Sequence, residues 1–360
     1  MDALADDLLT HITLSGEHAS FALLLKSLQN NDSYQPGMFS MLPETLAPQV
    51  EHYFASTSQL PAWADREKIA LGQRLFSRYV PLVLFILQYK SLPLCYSCKN
   101  GAKILHLTGR LTQRYGKGKI MGRLADTAQM VIHAMSEGGF EPKGKGLATI
   151  QKVRLIHAMV RAYIRNPRQN PEGWDSTNLG EPINQEDMAG TLMSFAPVVL
   201  SGLEQLNVSI SEQEREGYMH CWKIIGHLMG VDADLLPDSY EEGQLLATRI
   251  LQHQAAPSQE GLELVQTCIG LPRKFTPERI FPDVHEYMVR YFLRDASEAT
   301  GLDIGEIIGT PEIQNDYETW VKLFSRFAGI GILNRTMLKG YHTVHKIGTK
   351  MSRQPALARA

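Results

Sequence analysis

The sequence predicts an all-α protein. Apolar residues recur at intervals of three and four over most of its 360 residues, as they do along one face of a helix. No stretch alternates apolar and polar residues with the period of two that a half-buried strand needs. No segment of about 20 to 50 residues repeats, which argues against a solenoid. Because the same periodicity runs through the chain, we expect one helical core.

Composition narrows the class of protein. Charged residues make up 21% and hydrophobic residues 44%, as in a globular protein with a sizeable core. A net charge of -2 argues against a general attraction to nucleic acid. The 4 cysteines are too scattered for a disulfide framework and fit a reducing compartment.

The N-terminus MDALADDLLTH carries acids where a signal peptide needs a basic start. The longest apolar run, residues 79–87, is about half the ~20 residues of a membrane-spanning helix. We therefore expect a cytoplasmic protein without a transmembrane segment.

The chain is expected to divide at residue 60. Residues 1–60 read as helical pieces joined by polar turns, an N-terminal helical extension that packs on the rest and forms a lid. Residues 61–360 read as a single domain. Its first helix is predicted to begin at Asp65, a good N-cap residue, and Pro81 is predicted to kink or break it.

A basic stretch follows the start of this helix. Between Lys68 and Ala125 there are eleven Lys and Arg residues and no Asp or Glu. Such a charge run is usually a solvated face. The alternative is a cradle for acidic groups, such as the carboxylates of a cofactor.

The stretch from Gly122 to Arg165 is the first candidate for chemistry, because it predicts two helices joined by a Gly/Pro/Lys loop. Arg123 and Thr127 are four residues apart, so they share a face of the first helix. On the second helix, His157 lies in line with apolar residues, namely Ile150, Val153, Val160 and Ile164. Histidine is the commonest metal ligand, yet most buried histidines are hydrogen-bonded core residues, so both readings stay open.

Further helices are predicted from capping signatures. Asn184 with Asp187, and Ser211 with Glu214, have the spacing of capping boxes. Pro197 is predicted to bend one of these helices and Gly230 to end another. His220 and His227 are seven residues apart, whereas metal pairs on a helix are usually three or four apart, so we interpret both as packing residues.

The C-terminal region is predicted to be helical around Trp320 and basic after Glu318. Such an end could make weak contact with an anionic membrane surface or be a solvated tail. Elsewhere the chain lacks GxGxxG after a strand, a P-loop, HExxH and GxSxG. The common nucleotide, phosphate, zinc-protease and hydrolase motifs are therefore absent.

Six segments, in order from about residue 60 to 240, resemble the MpaB-like and latex-clearing (rubber) oxygenase family. They are PAWADREKIALGQ, TGRL, GRLADT, VRLIHAMVR, EPINQEDMAGTLMSF and WKIIGHLMGVDADLLP. No single segment is specific, but their order and intervals are. The resemblance implies a globin-like helical core that holds haem b (iron) and uses dioxygen to cleave carbon-carbon double bonds in isoprenoid-type substrates.

The same resemblance implies roles for single residues. His157 matches the family's axial iron ligand, and Arg123 and Thr127 match its arginine and threonine, which we expect to bind the cofactor and take part in catalysis. Arg154 and Arg161, three residues before and four after the histidine, are further candidates for binding haem propionates. The alternative is that either is a surface charge.

Three departures qualify the resemblance. Asp126 stands where rubber oxygenases carry a lysine able to cap the iron, which predicts an iron that is five-coordinate or water-bound. Residues 68–125 lack the acid that those enzymes have upstream of the arginine, and a secretion signal is missing. We expect a haem-dependent oxygenase acting on a small hydrophobic, unsaturated molecule. A non-catalytic haem-binding or sensing protein is the alternative, and a metal-free helical module is a third.

Overall fold

A computed structural model describes residues 2–14, 23–24, 37–109, 119–142, 144–168, 170–171, 173–273, 283–312 and 319. Within these ranges the regular structure is helical, apart from one isolated bridge between Cys98 and Ala255. The prediction of an all-α fold is confirmed. The predicted helix around Trp320 and the basic C-terminal tail lie outside the described residues.

The helices are numbered in chain order. They are α1 (Ala3–Leu14), α2 (Ala47–Ser56), α3 (Arg66–Ile86), α4 (Leu92–Ser97), α5 (Lys99–Gly109), α6 (Lys119–Met135), α7 (Lys145–Arg165), α8 (Ser176–Leu179), α9 (Gln185–Phe195), α10 (Pro197–Gln205), α11 (Glu212–Leu228), α12 (Tyr240–Gln254), α13 (Gln259–Arg273), α14 (Val284–Phe292), α15 (Arg294–Thr300) and α16 (Ile304–Ile307). A π-helical turn, Leu87–Ser91, joins α3 to α4, and a 3-10 turn, Ala233–Leu235, follows α11.

Local signals fix where several helices begin. The Asp65 carboxylate accepts hydrogen bonds from the first backbone N–H groups of α3. Reciprocal capping boxes, Asn184 with Asp187 and Ser211 with Glu214, start α9 and α11. Each cap satisfies N–H groups that have no partner inside the helix, so these predicted starts are confirmed.

Breaks also fall where the sequence places them. In α3 the backbone leaves helical angles at Tyr79, two residues before Pro81, and the helix then continues. Ala196, just before Pro197, is non-helical and separates α9 from α10. Gly230 adopts the left-handed region, with φ 82°, just after α11 ends. The predicted kink, bend and stop are confirmed.

One helical stretch of the described chain, Arg66–Ser97, is long and apolar enough to cross a membrane by length and composition alone. Within the protein, 56% of its most apolar window is buried, and a core helix meets the same test. This is weak evidence for a span, and the expected absence of a transmembrane segment stays a prediction.

The centre of the fold is the crossing of α3 and α11. At this point Gly72 and Gly217 bring the two backbones into contact. A Cβ added to Gly217 would lie 2.7 Å from the Lys68 carbonyl oxygen and 2.8 Å from the Gly72 nitrogen. Glycine allows this approach because it has no Cβ. The contact buries Cys221 and Trp222 of α11 in the main core.

A second hydrophobic cluster joins the N-terminal extension to α7. It contains Leu8 and Leu9 of α1, together with Tyr53 and Phe54 of α2. Three residues of α7 complete it, namely Leu155, Ala158 and Met159. Another part of α7, including Ile150, belongs to the main core. Helix α7 therefore lies between two cores, and the proposed domain boundary at residue 60 stays a prediction.

Gly217→Ala is expected to lower the free energy of unfolding by about 1–3 kcal/mol, because the added methyl overlaps backbone atoms that cannot move aside. Gly101→Ala is the matched control. Its Cβ would meet only Cys98 Cβ, at 3.9 Å, so this variant should be neutral or slightly stabilised. Urea unfolding followed by circular dichroism measures both. Equal stability of the two variants would contradict the proposed contact.

Candidate functional site

Three polar residues share one stripe of α7. Arg154, His157 and Arg161 are spaced by three and four residues, so their side chains project from the same face of the helix. This stripe lies beside the second hydrophobic cluster, to which the neighbouring Leu155 and Ala158 belong. The site is therefore a row of polar groups in largely apolar surroundings.

The imidazole of His157 is neutral at physiological pH. Burial, aided by the Arg161 cation and opposed by the Asp2 carboxylate, lowers its pKa to about 4. The side chain is partly exposed, but its Nδ1 atom is excluded from solvent and has no hydrogen-bond partner among the described residues. A neutral imidazole with an unused ring nitrogen is chemically able to serve as a metal ligand.

Arg154 binds the first residues of the described chain. Its Nε and Nη2 atoms each donate to one oxygen of the Asp2 carboxylate, both at 2.6 Å. Its Nη1 donates to the Leu228 carbonyl at 3.2 Å. Gly230 packs directly on this pair, since a Cβ there would lie 2.8 Å from Asp2 Cγ and 3.0 Å from Arg154 Nε.

Arg161 is more deeply buried, with 1% of its surface exposed. Its Nε donates to Asp6 Oδ1 at 2.7 Å, and its Nη1 donates to the Ile183 carbonyl at 3.4 Å. Ile183 has φ 51°, an unusual value for a β-branched residue. The Nη2 atom of Arg161 is buried and has no acceptor among the described residues. One donor next to His157 thus remains available.

Helix α2 fixes the position of α7 through hydrogen bonds. The Tyr53 hydroxyl donates to the Gln151 carbonyl at 3.1 Å. The Gln151 side-chain amide donates to the Phe54 carbonyl at 2.7 Å and to Thr57 Oγ1 at 2.6 Å. Burial raises the pKa of Tyr53, so the hydroxyl stays protonated. These bonds fix α7 at Gln151, which is six residues before His157.

The loop between α6 and α7 sets the register of the two helices. A Cβ on Gly146 would lie 2.6 Å from the His133 carbonyl oxygen and 2.7 Å from Ala134 Cα, and His133 Nδ1 is 3.1 Å from Thr149 Oγ1. His157 follows Gly146 by 11 residues and Arg123 precedes Ala134 by 11 residues. The two helices run antiparallel. Eleven residues along each helix from the loop, a distance of about 16 Å, this register puts Arg123 level with His157.

The other residues expected from the sequence are also on α6. Thr127 is partly buried and lies one turn from the level of His157, whereas Asp126 is exposed. The side chain of Arg123 is outside the described part of the structure. The structure thus brings Arg154, His157 and Arg161 together on one stripe and puts Arg123 and Thr127 on the neighbouring helix. Their catalytic and cofactor-binding roles stay predictions.

Sequence reasoning missed the groups that meet this stripe from elsewhere. They are the carboxylates of Asp2 and Asp6 and the carbonyls of Ile183 and Leu228. The signal for the acids is their spacing of four, which puts Asp2, just before α1, and Asp6, within it, on the same side of that helix. Spacing predicts the side of the helix on which the acids lie, but it does not identify the arginines with which they pair.

The carbonyls that meet α7 come from two of the six segments that carry the family resemblance. Ile183 belongs to EPINQEDMAGTLMSF, and Leu228 belongs to WKIIGHLMGVDADLLP. Both contact arginines of VRLIHAMVR, the segment with the histidine. Segments that are far apart in the chain therefore converge on one site.

The family model for the catalytic domain of ER-bound oxygenase mpaB/B' and rubber oxygenase matches residues 105–324. This chain belongs to that family. The match includes α6, α7 and the segments around Ile183 and Leu228, and family membership makes the protein an oxygenase. The family predicted from the sequence is confirmed.

Two relatives support the assignment. The rubber oxygenase of Streptomyces sp. (strain K30) is 26% identical over 313 residues, which are 86% of this chain and 70% of that protein. The solved structure of latex-clearing protein LCP in the closed state superposes with a TM-score of 0.69 at 23% identity. It covers 91% of this chain and 83% of the other. At this identity the second likeness shows the fold.

The ring of His157 makes the stability of the cofactor-free protein depend on pH. The folded state takes up this proton near pH 4, whereas the unfolded chain takes it up near 6.5. Stability is therefore lost as pH falls from 6.5 towards 4, with a slope of up to about 1.4 kcal/mol per pH unit. His157→Gln should lack this contribution. Urea unfolding at several pH values tests it, and parallel curves for the two proteins would refute it.

Proposed function

We propose that this protein is a haem b-dependent oxygenase that uses dioxygen on a small hydrophobic, unsaturated, isoprenoid-like substrate. The observation that carries the proposal is His157, a neutral imidazole between two arginines, with a buried nitrogen that has no partner among the described residues. In this proposal His157 is the residue that would hold the iron. The proposal places the protein in a reducing compartment, the cytoplasm, in keeping with its 4 free cysteines.

The residues around His157 fit a haem. A proximal histidine must be neutral, and burial keeps this imidazole neutral. Propionates need cations, and Arg154 and Arg161 flank the histidine on the same stripe. Both arginines already hold carboxylates in this structure, those of Asp2 and Asp6, so the stripe has the charge and geometry to bind two carboxylate groups.

The protein's own contribution to the reaction is to bind, orient and exclude water. When bound, haem supplies the activation of dioxygen, and the residues around it tune that chemistry. His157 would hold the iron, and Arg154 and Arg161 would orient the propionates. Thr127, on α6, would supply a hydrogen-bond donor one turn from the level of the histidine, and Arg123 would be a second donor. The second hydrophobic cluster keeps water from one side of the ligand helix.

The substrate class rests on the relatives. The matched relative is called a rubber oxygenase, and the matched structure is of a latex-clearing protein. From these names we infer for this chain only that its substrate is an unsaturated hydrophobic molecule. A small molecule is preferred over the polymer because a cytoplasmic protein would not meet extracellular rubber.

Two observations favour a second candidate, a haem-binding or sensing protein without turnover. Asp126 is exposed on α6, where rubber oxygenases carry a lysine, and residues 68–125 contain no acid to act as a base. Such a protein would keep the His157 ligand but lack the oxygenase reaction. A metal-free helical module, the third hypothesis, would have neither the iron ligand nor the oxygenase reaction.

Haem binding is expected to depend on His157. Protein purified from cells supplied with haem should show a Soret band, and His157→Ala should lose it or shift it strongly, because the iron loses its axial ligand. His133→Ala is the matched control, since this residue is on the neighbouring helix and bonds to Thr149. A colourless wild-type protein, or the same band in His157→Ala, would refute the haem proposal and favour the metal-free module.

Turnover separates the enzyme from the sensor. The haem-loaded protein should consume dioxygen when a short isoprenoid is added and should form carbonyl products by cleavage of a double bond. Thr127→Val, which removes one donor on α6 while keeping the shape, should lower the rate by about tenfold or more. An oxygen electrode measures the consumption of dioxygen, and mass spectrometry identifies the carbonyl products. Haem binding without oxygen consumption would favour the sensor.

A further inference from the structure

Two ion pairs hold α1 on either side of His157. Asp2 pairs with Arg154 at 2.6 Å and Asp6 pairs with Arg161 at 2.7 Å. Asp2 is 4% exposed and Arg161 is 1% exposed, so these pairs are shielded from water. In addition to these ion pairs, α1 buries Ala5, Leu8 and Leu9 in the second hydrophobic cluster. Helix α1 thus closes the stripe that carries the candidate ligand.

The carboxylates of α1 occupy the same cations that a haem would use. Asp2 takes two donors of Arg154, the paired geometry with which a guanidinium binds a carboxylate. Asp6 takes Nε of Arg161. A second pair of carboxylates at these two arginines would place like charges side by side in a poorly solvated site, which is unfavourable. The two sets of carboxylates therefore compete.

The closed arrangement leaves polar groups unused. Arg161 Nη2 and His157 Nδ1 are both buried, and neither has a partner among the described residues. Buried donors and acceptors are usually paired, so two unpaired groups on one stripe point to a missing ligand. With α1 in place, Arg154 and part of Arg161 are paired, whereas Arg161 Nη2 and His157 Nδ1 have no partner among the described residues.

Helix α1 is also suited to move. It has 12 residues, a length at which a helix is marginal in water unless it packs on something. The ion pairs and a few apolar side chains supply that packing. Leu4, on the same helix, is 46% exposed, so α1 is not enclosed on all sides. Releasing α1 leaves the main core untouched.

We propose that α1 is a latched lid, in which Asp2 and Asp6 hold Arg154 and Arg161 until the propionates of an entering haem replace them. This inference rests on the proposed haem binding. Uptake of haem then opens α1, and the two aspartates act as internal competitors that keep the arginines paired in the cofactor-free protein. The apparent rate of uptake depends on the fraction of molecules in which the latch is open.

The test uses the full chain with its affinity tag at the C-terminus, so that no tag lies beside Asp2. Haem is mixed with the cofactor-free protein in a stopped-flow instrument, and growth of the Soret band gives the association rate. Asp2→Asn/Asp6→Asn should bind haem about tenfold faster than the wild type, because weakened pairs leave the latch open more often. Asp7→Asn is the matched control, since Asp7 is exposed on the same helix, and its rate should equal that of the wild type.

Hydrogen exchange supplies a second measurement that needs no substitution. In the wild type, the peptide covering residues 2–14 should be protected in the cofactor-free protein and should lose protection when haem binds. Unchanged protection of this peptide, with haem bound through His157, overturns the lid and leaves the proposed function standing. Equal association rates for the double variant and Asp7→Asn overturn it as well. A protein that never shows a Soret band refutes the proposed function, and the lid with it.

Discussion

The burial of a charged stripe between two hydrophobic cores governs this structure. Arg161 is almost fully enclosed, and a guanidinium in such a place must be paired because the loss of its hydration is costly. Asp6 and the Ile183 carbonyl supply the pairing. The demand for a partner at α7 therefore determines where α1 lies and how the backbone runs at Ile183, even at an unusual φ.

The same desolvation gives His157 its chemistry. In water an imidazole would be partly protonated near neutral pH, but burial and the neighbouring Arg161 keep it neutral. Among the described residues the ring nitrogen Nδ1 has no partner, an arrangement that a protein selected for stability alone would avoid. The unpaired nitrogen therefore costs stability.

Family membership and the departures from it bear on different parts of the site. The segments that resemble the family supply α7 and the carbonyls that meet its arginines. Asp126 is on α6, and the missing acid concerns residues 68–125. The departures therefore lie outside α7, the helix that carries His157.

The sequence by itself determined what depends on neighbours along the chain. The capping residues at Asp65, Asn184 and Ser211, the kink before Pro81 and the stop at Gly230 are local, because a cap or a proline acts within one turn. The same holds for the stripe of Arg154, His157 and Arg161, which follows from helical spacing.

Only the tertiary structure decided which groups meet that stripe. Asp2 and Asp6 reach Arg154 and Arg161 across 152 and 155 residues of sequence, and no periodicity connects them. From the sequence, both arginines are candidates for haem propionates or surface charges, and the structure shows each holding a carboxylate, that of Asp2 or Asp6. The physical reason is that a helical pattern fixes the face on which a charge lies. The choice of partner for a buried charge depends on how distant helices pack.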